Sequence, residues 1–477
     1  SVSGLAKAEQ PQILPNHCRL PNQNVVVMNR DRLDFGNERI GRLFRAMFFP
    51  TLVAMVFNSV LNICDGMFVG HGVGPDGLAA INIVAPFFLI CTGVGLMFGI
   101  GASVIASIRL AEDNVKAARI IMTQAYIAGA VIFGAVILCS LVFTRPVLYL
   151  LGCSPALEDL ASDYLLWLLP GLFFFYLQCV GMMLVRLDGS PRYAMSVQVV
   201  AAILNIFLDW LMVFPLGMGI AGASIATSFS CIVGGLMVVV YFLRFSSRLK
   251  FYRLKATRKS LMLSLRNVGY MANIGFATFV TEAALGIMIV AGNFMFMSML
   301  GEDGVAAYSV GCYLFPVIFS ISNAVAQSAQ PIISFNYGAK SPVRVRQALR
   351  LSLRTGALCG VAVSLAMWFG APALSLVFLP AEAVAYGLAV HGLPLLGLSA
   401  VCFSLNIVFI GYFQSIEQSA RSTVYTILRG AAFLVPAFIL LPLVLGVDGL
   451  WLAIPAAEML TLMVILVSSR QKFGSQG

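Results

Sequence analysis

Charge is what this sequence has least of. Only 10% of its residues are Asp, Glu, Lys or Arg, against 60% hydrophobic, whereas soluble domains run near a quarter charged. A large soluble core would account for one or two long apolar stretches, but not for a dozen in series. Clustered cysteine chemistry is missing too. The ten cysteines, among them Cys64, Cys139, Cys231 and Cys402, are scattered through apolar segments with no CxxC or Cys/His grouping. Neither a disulfide framework nor a metal centre is indicated, and small buried hydrophobes are the better reading. There is no nucleophile–base arrangement, phosphate loop or ATPase motif, which argues against a membrane enzyme or a primary pump.

What is present is a net charge of +10, and its placement matters more than its size. The basic residues sit in short loops beside apolar spans, where they act as topology signals rather than as a nucleic-acid surface. Apolar runs long enough to cross a bilayer lie near 43–69, 78–108, 118–143, 160–185, 193–214 and 219–243. A second six lie near 267–299, 305–335, 346–370, 384–413, 421–442 and 447–468. One set of alternate loops collects Arg109, Lys116, Arg119, Arg186, Arg192, the run from Arg248 to Lys259, Lys340, Arg344, Arg346 and Arg421; the other holds only Arg145. The positive-inside rule then places both termini in the cytoplasm and makes the span count even.

The polar stretch 1–40, with Pro11, Pro15 and Pro21, lacks the pattern of a signal peptide. It reads as a disordered cytoplasmic tail ending in a basic flank. The expected organisation is an N-lobe over 41–245, a basic cytoplasmic linker over 246–264, a C-lobe over 265–470 and a short cytoplasmic tail over 471–477. The two lobes repeat one another. Asp76-Gly-Leu-Ala-Ala recurs as Asp303-Gly-Val-Ala-Ala, 227 residues later, and Gly222 and Ala226 match Gly449 and Ala453 at the same offset. Six spans separate the copies, so both have one orientation and are related by an axis along the membrane normal. The fold class expected is all-α, with 12 transmembrane helices in two six-helix bundles facing a central cleft.

Four acids fall inside spans: Asp65, Asp209, Glu282 and Glu458. An ionisable group at membrane depth costs at least a few kcal/mol, so it commonly faces a cavity and marks an ion or substrate route. The alternative is an acid that merely joins helices, and for Glu458 the two readings weigh about equally. Asn205 lies one turn before Asp209 on the same helix face, with Thr227 and Asp65 in reach. Two carboxylates, an amide and a hydroxyl suit a hard monovalent cation such as Na⁺, or a proton held between adjacent acids; spacing does not choose between them. Asn58, Asn62, Gln178, Asn323, Gln327 and Gln330 are weaker candidates for lining the cleft. His391 reads as interfacial.

At these residues the sequence resembles the multidrug and toxic compound extrusion (MATE) family, from about residue 40 onward. The matching stretches are NICDGMFVGHGVGPDGLAA across spans 1–2, RLDGSPRYA after span 4, and LNIFLDW leading to GMGIAGASIAT across spans 5–6. In the second half, GFATFVTEAALG and AQSAQPIISFNYGAKSP resemble the MepA-type branch. The resemblance implies export of organic, often cationic, compounds across the bacterial cytoplasmic membrane in exchange for Na⁺ or H⁺, with no further cofactor and a monomer sufficient. It implies an N-lobe cation site at Asp65, Asn205, Asp209 and Thr227, and a second coupling or substrate role for Glu282. Span 10 has no acid, leaving Asn406 as a neutral candidate ligand there. The rival reading is a lipid-linked oligosaccharide flippase of related fold, for which a strongly cationic cleft is expected.

Overall fold

The computed structural model describes residues 33–473 apart from 152, 154, 255 and 256, and gives no account of the side chains at 62, 63, 75, 78 and 469–473. Most of the N-terminal tail therefore lies outside the described residues. Those described form helices and their connections, with no strand among them. The first lobe runs α1 (Ile40–Gly72), α2 (Pro75–Ala111), α3 (Val115–Val142), a short α4 (Thr144–Leu150), α5 (Glu158–Leu187), α6 (Pro191–Val213) and α7 (Gly219–Val240). The second runs α8 (Arg258–Gly338), α9 (Pro342–Phe378), α10 (Val384–Gly397), α11 (Ser399–Ser415), α12 (Ser419–Ile427), α13 (Leu434–Leu445) and α14 (Val447–Phe473).

Local sequence explains where these helices begin and break. Pro75, Pro191 and Pro342 open α2, α6 and α9 at the first helical position, where the missing N–H costs nothing. The Asn114 side chain caps α3 by accepting from the Ala117 N–H at 3.0 Å. At 1.5 Å per residue, the 81 residues of α8 would extend about 120 Å, four times a hydrocarbon core of about 30 Å. Gly301 interrupts it with φ 66° and ψ −152°, a conformation that only glycine enters readily. Ten described helices are long and apolar enough to span, or eleven with α10 and α11 joined across their 42° bend. The kink at Gly301 divides α8 into two helices.

The basic loops gather on one face. Asp188, after α5, accepts from the backbone N–H groups of Ser247, Arg248 and Leu249 and from the Tyr241 hydroxyl. Arg119 donates to the Arg248 carbonyl at 2.8 Å, and Arg344 donates to the carbonyls of Phe35 and Glu38. At the other face Arg145 pairs with Glu158 at 2.6 Å and His391 with Asp448 at 2.7 Å.

Each lobe has its own core. Phe133, Leu172, Tyr176 and Val180 anchor the first; Phe296, Tyr308, Phe403 and Trp451 anchor the second. Near the basic face the lobes close on one another. Leu43, Phe44 and Met47 of α1 share a buried cluster with Val325, Ala329 and Ile332 of α8. Alongside, α2 and α8 approach backbone to backbone: a Cβ on Gly101 would strike the Met271 carbonyl, and one on Gly275 the Met97 carbonyl. Polar bonds cross there too, from Arg186 to Gln327 Oε1 at 2.7 Å and from Gln124 to Ser264 at 2.9 Å.

Candidate functional site

The apolar helices of the N-lobe surround one polar focus. α6 presents Asn205 and Asp209 from a single face, and both are fully buried, at 1% and 0% exposed. α7 brings Thr227, whose hydroxyl accepts from the Asn205 amide at 3.3 Å. Turning that amide over lets its NH₂ donate to Asp209 Oδ2 at 3.2 Å and its oxygen accept from the Thr227 N–H at 3.2 Å, which satisfies both ends. α1 contributes Asp65, close enough to Asp209 for the two carboxylates to repel. The structure thus brings together all four residues expected from the sequence.

What matters chemically is what these carboxylates do not touch. Asp65 Oδ1 and Asp209 Oδ1 are both buried without a hydrogen-bond partner in the protein. A buried polar group left unpaired is costly, and a buried unpaired carboxylate more so. Two such oxygens on neighbouring buried carboxylates form a place that a proton or a hard cation would complete. Tyr164 of α5, which the sequence reading passed over, is buried near the pair. As one aromatic residue among many, it carried no signal of that position.

The weaker candidates go to different places. Gln178 donates to Gln198 at 3.2 Å, and Gln198 donates to Asn58 at 3.0 Å, so α5, α6 and α1 are tied by an amide ladder inside the N-lobe. Gln327 instead accepts from Arg186 across the lobe boundary. Arg186, assigned to a basic loop from sequence, is 2% exposed. Asn406 lies in the C-lobe against Glu458, while the Asn62 side chain lies outside the described residues. Glu282 is buried where α8 meets α2, its Cβ facing Gly93.

The C-lobe has a charged centre of a different kind. Glu458 of α14 is 3% exposed and is held by Arg429, which is 5% exposed. Arg429 Nη2 and Nε reach Glu458 Oε1 at 2.8 and 3.0 Å, with Nε at 3.2 Å from Oε2. Asn406 donates to Glu458 Oε2 and to its backbone carbonyl, both at 2.8 Å. The guanidinium lies 4.3 Å from the Phe403 ring centroid, within cation–π range. Sequence reading weighed Glu458 and missed Arg429. The available signal was an arginine inside an apolar run, which at membrane depth demands a partner.

The MatE family profile matches residues 50–211 and again 274–438. The chain belongs to the MatE family. The double match places one copy of the MatE unit in each half of the chain. Among relatives, an FAD transporter of Shewanella oneidensis is 26% identical over 443 residues, covering 90% of this chain and 94% of that protein. The multidrug export protein MepA of Staphylococcus aureus is 23% identical over 430 residues, covering 89% and 93%. A solved multidrug resistance MATE transporter in an outward-facing conformation superposes with a TM-score of 0.85 at 21% identity, covering 92% of this chain and 97% of that one. A transporter from Pyrococcus furiosus, described as having a binding pocket of reversed polarity, gives 0.84 at 20% identity with the same coverage. These superpositions give the MATE fold across nearly the whole chain.

Proposed function

We propose that this chain is a secondary antiporter that exports organic, often cationic, compounds from the cytoplasm in exchange for Na⁺ or H⁺ entering through the N-lobe. The observation that carries this reading is the pair of buried, unpartnered oxygens on Asp65 and Asp209. A cation or proton taken up there neutralises carboxylates that otherwise repel in a low-dielectric interior. On this reading the basic face lies in the cytoplasm, and the contacts between the lobes there close the inner side. Ion binding helps drive transport only if it favours one state by a few kcal/mol over the other.

Substrate class is argued from charge. Against two buried arginines, Arg186 between the lobes and Arg429 paired with Glu458, stand the acids Asp65, Asp209, Glu282 and Glu458, so the interior carries more acid than base and favours cations over the anionic lipid-linked sugars of a flippase. A second reading, transport of a flavin dinucleotide, is supported by the FAD transporter at 26% identity.

The test is efflux from proteoliposomes with Na⁺ and H⁺ gradients imposed separately, using a fluorescent organic cation in one arm and FAD in the other. Asp209→Asn is expected to lose gradient-driven export by at least about tenfold, which corresponds to about 1.4 kcal/mol of coupling. Full gradient-driven export by that variant would sink the proposal, and uptake of FAD alone would move the substrate to the second reading.

A further inference from the structure

The repeat offset allows the two lobes to be compared position by position. Carried 227 residues along the chain, Asp65, Asn205, Asp209 and Thr227 fall on Gly292, Ala432, Pro436 and Ile454. None of these can hold an ion by its side chain. The converse also holds: Arg429 and Glu458 fall back on Ala202 and Cys231. Arg429 precedes Ala432 by three residues and Glu458 follows Ile454 by four. Glu458 therefore sits one turn from the counterpart of Thr227, on the same helix face, and Arg429 lies in the same π-helical turn, Leu428–Ala432, as the counterpart of Asn205. Ile454, Arg429, Glu458 and Thr281 line one small cavity. Arg429 and Glu458 are the only charged residues among its lining.

We infer that the C-lobe counterpart of the cation site is permanently filled by a tethered cation, the Arg429 guanidinium, so that only the N-lobe exchanges its ion. The inference rests on the N-lobe antiport reading above. Three features support it beyond the ion pair itself. A buried pair is a poor stabiliser compared with apolar packing of the same volume, so stability alone gives little reason for it. The guanidinium is fixed from both sides, by Glu458 and by the Phe403 ring, in the way a bound cation would be coordinated. It projects from a π-helical turn, Leu428–Ala432, between α12 and α13; such turns occur often at functional sites. Glu458 thereby spends its charge on a partner that cannot leave, whereas Asp65 and Asp209 keep theirs for one that can.

The experiment counts coupling ions per substrate from the reversal potential of transport in proteoliposomes, for the wild type, Arg429→Gln, the double variant Arg429→Gln/Glu458→Gln, and Asp209→Asn. Wild type and the double variant are expected to share one count. Arg429→Gln, in which Glu458 is freed to take a proton or Na⁺, is expected to gain one ion per cycle. An unchanged count in folded Arg429→Gln, or a lowered count in the double variant, overturns the proposal. Should Arg429→Gln not fold, the double variant decides: an unchanged count supports the tethered cation and a lower one refutes it. Failure of the double variant to fold also refutes it, since the pair would then be a requirement of the fold. Asp209→Asn keeps the two readings apart, because its retention of coupling strikes the N-lobe mechanism whatever the Arg429 variants show.

Discussion

The two lobes descend from one pattern and use buried charge in opposite ways. In the N-lobe, two carboxylates repel each other and each keeps an oxygen with no partner. In the C-lobe, one carboxylate accepts from a guanidinium and an amide, leaving only the Asn406 Oδ1 atom unpaired at its edge. The first arrangement is incomplete without something from outside the chain; in the second the charges are matched within it. Similar helices can therefore carry an exchange site and a fixed one, and the difference lies in whether the counter-charge is covalently attached. Symmetry of fold does not impose symmetry of chemistry.

The largest expected effect on stability tests that contrast directly. Glu458→Gln leaves a buried guanidinium with no counter-charge, and arginine cannot shed its proton as a carboxylate can acquire one. Losing one partner of a buried pair costs about 3–5 kcal/mol. Asp209→Asn removes a charge that had no protein counter-ion, so it should leave stability unchanged or raised. Thermal unfolding in detergent is expected to show a large drop in Tm for Glu458→Gln and none for Asp209→Asn. Equal drops would mean that both acids are structural and would erase the contrast.

Much of this was legible in the sequence, and for physical reasons. Bilayer thickness imposes long apolar runs, so the spans could be placed before any coordinates; the repeat was visible because Asp76 and Asp303 open matching segments. The N-lobe site was legible because Asn205 and Asp209 share a helix face and sit inside an apolar run. What stayed hidden depends on contacts between distant segments. Arg186 counts as a loop residue by position, and only its bond to Gln327, 141 residues away, reveals it as buried between lobes. Arg429 is obscured differently: it lies inside an apolar run with its partner Glu458 lying 29 residues further on, so only packing joins the two. Tyr164 and Gln198 acquire their roles from packing, which no local spacing encodes.

An intermediate effect bears on how the lobes meet. At Gly275, in the C-lobe half of the contact, an added methyl would strike the Met97 backbone carbonyl, whereas Gly286 on the same helix has nothing within 4 Å. Overpacking at such a point costs about 1–3 kcal/mol, and here it falls on the arrangement closed at the basic face. Gly275→Ala should therefore expose cysteines introduced along that seam to a membrane-impermeant thiol reagent, while Gly286→Ala should not. Equal labelling of the two variants would show that the seam is not held by this backbone approach.

The smallest effect is the most discriminating between lobes. Thr227 and Thr281 both stand beside buried charge, one near the acid pair and the other on the cavity of the ion pair. The Thr227 hydroxyl belongs to the candidate ligand set, and with the Asn205 amide turned over it no longer accepts from that NH₂ group. The Thr281 hydroxyl is already committed to its own helix, donating to the Ala277 carbonyl at 2.8 Å. Replacing either with valine keeps the shape and removes one hydroxyl, so each should cost no more than about 0.5–1.5 kcal/mol of stability. Their effects on ion use should nonetheless part. Thr227→Val removes an oxygen from an exchangeable site, so half-maximal transport should need several-fold more of the coupling ion, with little change in maximal rate. Thr281→Val takes nothing from a site whose cation is tethered, so its ion dependence should match the wild type. A shift of similar size in both variants would mean that the C-lobe also exchanges an ion, and that Arg429 is not its permanent occupant.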